Sequence, residues 1–211
     1  YCDRALSITS AEEQPVLPKG NNLSLHLLEL FTSQVAKVGM TDGIRQVLQE
    51  ESDALRAYYE QAGILIARPA GGTSCRLAIS AKGGTNAENH NHNDVGSYAV
   101  ALGSETMVGD QGGPNSYPGD YFNGDAPQKY KIKGSFGHPV PVVDGRTQSS
   151  GGKAKGVVLQ KEFTNEKDVF SIDYTSAYST PNLDKLIRTF VYDRQGEGNF
   201  TVGDEFTAKT P

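Results

Sequence analysis

The chain contains no tryptophan, and only two cysteines and two methionines in 211 residues. Two cysteines cannot form a disulfide framework, and the long separation of Cys2 and Cys75 reads as two unpaired thiols. Continuous apolar runs are also missing: no stretch approaches the roughly 18–20 residues of a membrane span. The first fifteen residues lack the basic-then-apolar pattern of a secretion signal. Positive charge is in deficit, with a net charge of −5, which argues against a nucleic-acid-binding surface. It also means that any acidic partner must be captured by local cations. What is abundant is glycine (24) and proline (10), a composition that favours many turns and a β-rich architecture.

The periodicity changes along the chain. Leu25, Leu27, Leu28, Leu30, Phe31 and Val35 form an apolar set suited to a buried helix face, preceded by cap candidates Asn21, Asn22 and Ser24. After a break at Gly39–Asp42, Ile44, Val47, Leu48, Leu55, Tyr58 and Tyr59 recur at helical spacing up to Gly63. From there, short strands are expected at Ile64–Ala67, Leu77–Ser80, Tyr98–Leu102, Thr106–Val108, Val157–Phe163, Val169–Tyr174, Ile187–Tyr192 and Phe200–Val202. Strands this short with regular turn signals predict a mainly β fold, an antiparallel β-sandwich preceded by two α-helices. The domain boundary falls between 1–60, which reads as the end of a larger helical domain, and 61–211. Both ends read as cut. Residues 112–152 are rich in glycine and proline, and an irregular segment of that length points to function.

The chemistry concentrates in Asn89-His90-Asn91-His92-Asn93-Asp94, which holds two of the four histidines. On a strand, alternation would send His90 and His92 to one face. The pair then serves as two metal ligands, or as one ligand beside one catalytic imidazole; otherwise the segment is a polar turn with incidental histidines. Asp110 ends the return strand of the hairpin built around Gly103-Ser104, and His138 follows in the irregular segment. His92, Asp110 and His138 offer two nitrogens and one oxygen, a zinc-type set with a fourth place for water or another side chain. Calcium or magnesium would require mainly oxygen donors. Asp110 as an ordinary turn carboxylate is the other reading.

Asn89 to Tyr98, followed by Val108-Gly109-Asp110, resembles the signature of heparinase II/III-like polysaccharide lyases. Tyr117, His138, the run Asp173–Tyr178, Arg188-Thr189-Phe190 and Val202-Gly203-Asp204 extend the resemblance over roughly residues 58 to 208, with mild departures at Gly109 and Gln111. In that family an incomplete (α/α) toroid precedes an antiparallel β-domain, with the active site in the cleft between them. The resemblance implies that residues 1–60 are the toroid's last helices. It implies that His92, Asp110 and His138 hold a structural Zn2+, and that His90 faces the cleft as the local catalytic residue acting on the substrate carboxylate. The implied partner is an acidic polysaccharide cleaved by β-elimination. The family's toroid tyrosine and asparagine or histidine lie outside this chain, which makes it inactive by itself. Export to the periplasm or beyond is implied, and a homodimer is compatible.

Asn89, Tyr117, Tyr121 and Lys129 are the candidate substrate-binding residues. The two tyrosines read as a sugar-facing wall or as loop packing. Lys129, Lys131 and Lys133 would share one strand face, holding an acidic polymer or protecting an edge. A zinc-stabilised, non-catalytic carbohydrate-binding module is the rival reading. A cupin, whose motif also opens with His-X-His, lacks its further glutamate and histidine here.

Overall fold

The computed structural model describes residues 54–110, 112–114 and 116–209. The first expected helix, the second as far as residue 53, Cys2, His26 and Gln111 lie outside these residues. The described part is built on two antiparallel sheets. The first has strand order β1-β2-β3-β5-β6. Its strands are β1 (Arg56–Tyr59), β2 (Ile64–Ala67), β3 (Leu77–Lys82), β5 (Tyr98–Leu102) and β6 (Glu105–Val108). The second has order β11-β10-β9-β8. It comprises β8 (Val157–Phe163), β9 (Lys167–Asp173), β10 (Leu183–Asp193) and β11 (Asn199–Ala208). A two-stranded ribbon pairs β4 (Thr85–Asn86) with β7 (Gly151–Lys155).

The two sheets share one core, as the alternating apolar residues predict. Leu65, Ile79 and Ala81 from the first pack in the same cluster as Phe170, Ile172, Leu186 and Phe190 from the second. The Phe190 ring stacks on Phe170 at a centroid distance of 6.1 Å. Cys75 is a buried free thiol beside the Tyr192 hydroxyl.

One expectation fails at the start of the sandwich. Tyr58 and Tyr59, read as the end of a helix, belong to β1, which pairs with β2 across Tyr59↔Ile64. Alternation wins here because residues 56 and 58 both have partners across the core. Arg56 Nε donates to Asp168 at 2.8 Å, and the Tyr58 ring meets Phe163 and Phe170 edge-on at 5.7 and 5.8 Å. The turn into β2 requires Gly63 at φ +62, where a Cβ would sit 2.6 Å from the Gly84 nitrogen.

The long irregular segment carries little regular structure: a short helix α1 (Ala126–Lys129) and a 3-10 turn at Ser135–Gly137. The lysine row therefore does not exist as a strand face. Lys129 ends α1, Lys131 is exposed, and Lys133 is 5% exposed. No helix among the described residues is long and apolar enough to cross a membrane.

Candidate metal and active site

The segment carrying His90 and His92 is a turn and not a strand. Glu88 accepts the Thr85 N–H, the Asn91 N–H closes on the Glu88 carbonyl, and His90 takes the left-handed conformation at φ +59. Such a φ is uncommon for a histidine. Strand alternation therefore does not place the two rings. His90 is exposed at the turn and stacks on Phe122, with centroids 4.4 Å apart. His92 turns inward.

The inward ring meets the other two candidate ligands. His92 Nδ1 lies 3.1 Å from His138 Nε2, and His138 Nδ1 lies 2.8 Å from Asp110 Oδ2. One donor atom from each residue falls within 4.8 Å of the other two. Zinc bonds of about 2.0–2.2 Å in tetrahedral array need donors about 3.3 Å apart, and because His138 meets His92 and Asp110 through opposite ring nitrogens, the side chains would have to draw in for one nitrogen to join both around an ion. The donor chemistry, imidazole nitrogens with one carboxylate, fits that ion. His92 Nε2, on the far side of the ring, is 3.3 Å from the Tyr121 hydroxyl, a partner that fixes ring orientation.

Electrostatics reinforce the grouping. Burial, and then the neighbouring His138, lower the His92 pKa. Burial alone would raise Asp110, but hydrogen bonding and charge from His138 and the Gly112 N–H carry it below the usual carboxylate value. Burial would lower His138, yet Asp110 and the charge of Asp94 raise it.

A buried polar frame holds the turn in place. Asn93 is fully buried, and its Nδ2 donates to the Gln148 carbonyl at 3.0 Å and to Ser150 Oγ at 3.1 Å. Gln148, 1% exposed, accepts at Oε1 from Val95 N and from Asn86 Nδ2, both at 3.0 Å. Its Nε2 donates to the Val95 carbonyl at 2.7 Å. Asp94 receives the Lys82 ammonium at 2.6 Å. From β10, the Arg188 guanidinium donates to the Gly96 and Pro139 carbonyls at 2.8 and 2.7 Å while pairing with Asp204. One side chain thus ties together the segments that follow His92 and His138.

The candidate substrate residues separate. Asn89 is exposed beside His90, and Tyr117 is 38% exposed. Tyr121, expected on a sugar-facing wall, is 1% exposed and serves His92 from behind. Lys129 is engaged by Asp120, so its charge is matched locally. Phe122 and Gln148 were not singled out by any spacing, because they lie in the irregular segment where neither period 2 nor period 3.6 operates, and Lys133 was noticed only as a member of the lysine row.

No protein-family model and no curated protein matches the chain. Among solved structures it is similar to a mutant of the heparan sulfate lyase HepC from Pedobacter heparinus, at TM-score 0.57 and 18% identity. The match covers 78% of this chain but 25% of that one, so this chain spans about a quarter of the lyase's length. The two share a fold.

Proposed function

We propose that this chain is the β-sandwich part of a polysaccharide lyase that cleaves uronic-acid-containing glycan by β-elimination, with His90 as its catalytic contribution. One observation carries the reading: on a fold shared with a heparan sulfate lyase, an exposed His90 stands two residues from a gathered His92–Asp110–His138 set. In this reading the residues before β1 belong to the end of a helical toroid, and the remaining chemistry comes from that toroid.

Elimination removes the proton at C5 of the uronate, next to a carboxylate whose negative charge makes that proton a weak acid. A donor aimed at the carboxylate favours the enolate-like transition state, an effect of about 3–4 kcal/mol for one well-placed donor. His90, exposed on its turn, is the group offered for that role, with Asn89 next to it and Tyr117 on the far side of Phe122 for binding. A base from the helical side then takes the proton and a group returns one to the leaving oxygen. His92, Asp110 and His138 would hold a structural Zn2+, which when bound supplies a rigid anchor for the turn. Export to the periplasm or beyond belongs to this reading through the family resemblance alone, and a homodimer is compatible.

The test is β-elimination of heparan sulfate and alginate, read as absorbance of unsaturated product. In the full-length protein His90→Ala should lose most turnover. Unchanged turnover would leave a non-catalytic carbohydrate-binding module. The 211-residue chain alone should turn over little or nothing.

A further inference from the structure

His90 is an exposed imidazole on a left-handed turn, and no hydrogen bond from the described residues holds its ring. An exposed side chain of this kind would ordinarily exchange rotamers freely. A residue asked to meet a carboxylate at a fixed point cannot do so. What restrains it is the ring of Phe122, stacked at 4.4 Å and 29°. We propose that Phe122 is the positioning residue for His90: it sets the direction of the imidazole, and through it the grip on substrate. This inference rests on the functional reading above.

The support behind Phe122 is unusual. Its ring is 46% exposed, too open to be core packing. Yet it is held from several sides, edge-on by Tyr121 at 5.3 Å and at a tilt by Tyr117 at 5.1 Å. The Lys133 ammonium sits 4.9 Å from the centroids of both Phe122 and Tyr121. That ammonium donates to the Tyr121 carbonyl at 2.7 Å, and no carboxylate among the described residues pairs with it. A cation placed against a ring face attracts it and discourages it from swinging out. Tyr121 and Phe122 are adjacent in sequence, so one backbone segment delivers both supports. Tyr121 goes to the half-buried His92 and Phe122 to the exposed His90. The relative orientation of the two histidines is thereby tied to a single dipeptide.

The test uses the 211-residue chain, with proton NMR of the His90 ring and calorimetric binding of heparan sulfate and alginate tetrasaccharides. In the unmodified chain the His90 ring protons should show the displacement caused by a stacked aromatic. Phe122→Leu should abolish that displacement and weaken binding by about three- to tenfold, the loss expected for one aromatic pair. Phe122→Tyr should restore both to within about twofold, since the ring is retained. In a His90→Ala background, Phe122→Leu should cost nothing further, because the two act as a unit. Additive losses would overturn the positioning role, and so would unshifted His90 protons in the unmodified chain. If instead His90→Ala itself leaves binding and full-length turnover unchanged, the functional reading falls and not merely the role of Phe122.

Discussion

Gln148→Leu preserves side-chain volume but removes every polar atom from the centre of the frame behind the metal set. In the structure Gln148 Oε1 accepts from Val95 N and Asn86 Nδ2, and Nε2 donates to the Val95 carbonyl. Asn86 Nδ2 keeps a second acceptor, the Ser149 carbonyl at 2.8 Å, so its loss is partial. Val95 is fully buried and loses the partners of both its N–H and its carbonyl. Each orphaned buried group costs about 1–3 kcal/mol, so the substitution should destabilise by roughly 2–6 kcal/mol. Urea unfolding followed by circular dichroism measures this directly as a fall in midpoint at unchanged slope. Because Asn93, the residue after His92, also leans on the Gln148 backbone, zinc affinity should fall as well. A loss under about 1 kcal/mol, with zinc affinity intact, would refute the claim that this frame holds the turn.

Other predictions follow from the same geometry. Arg188→Leu leaves Asp204 with only the Tyr174 hydroxyl and orphans two carbonyls, and should cost about 2–4 kcal/mol in urea unfolding. The purified chain should carry one zinc by elemental analysis, and chelation should lower its melting temperature. In the metal-free protein, His138 is held above its usual 6.5, despite burial, by Asp110 and Asp94. Its contribution to stability is complete below the unfolded value and is lost as pH rises through the higher folded value. Asp110, held below its usual 3.8, contributes above that value and loses its contribution as pH falls through the lower folded one. The destabilisation caused by His138→Gln in apo protein should therefore shrink as pH rises above neutrality, measured by urea titration across pH. Zinc affinity should move the opposite way, weakening on acidification, because both imidazoles must be deprotonated to bind.

Much of the sandwich was legible because its strands obey a single local rule. Ile64–Ala67, Tyr98–Leu102 and Val157–Phe163 occupy the expected bounds, since short apolar or alternating runs between glycines admit few other structures. Arg56–Tyr59 was misread because Leu55, Tyr58 and Tyr59 also satisfy a helical spacing, and the deciding contacts to Asp168, Phe163 and Phe170 lie more than a hundred residues away. At the site, residue type and hairpin logic singled out His92, Asp110 and His138, which the structure brings together. The means of placing them was different. A left-handed turn aims the histidines, where a strand had been expected, and no pattern of apolar residues announces a turn. The lysine row failed for a related reason: alternation in sequence has meaning only if the backbone is extended, and at 129–133 it is not.

Arg188 has a consequence for how the site comes into being. It reaches from β10 to the carbonyls of Gly96 and Pro139, and Asp204 on β11 holds its other edge. The link that ties the two flanking segments to each other therefore forms only when β10 and β11 have joined the sheet, a late event for contacts so distant in sequence. A ribosome-bound or proteolysed form ending before β10 would carry all three ligand residues and still grip an ion poorly. Uptake of an ion by the proposed His92–Asp110–His138 set would then report completion of the whole sandwich.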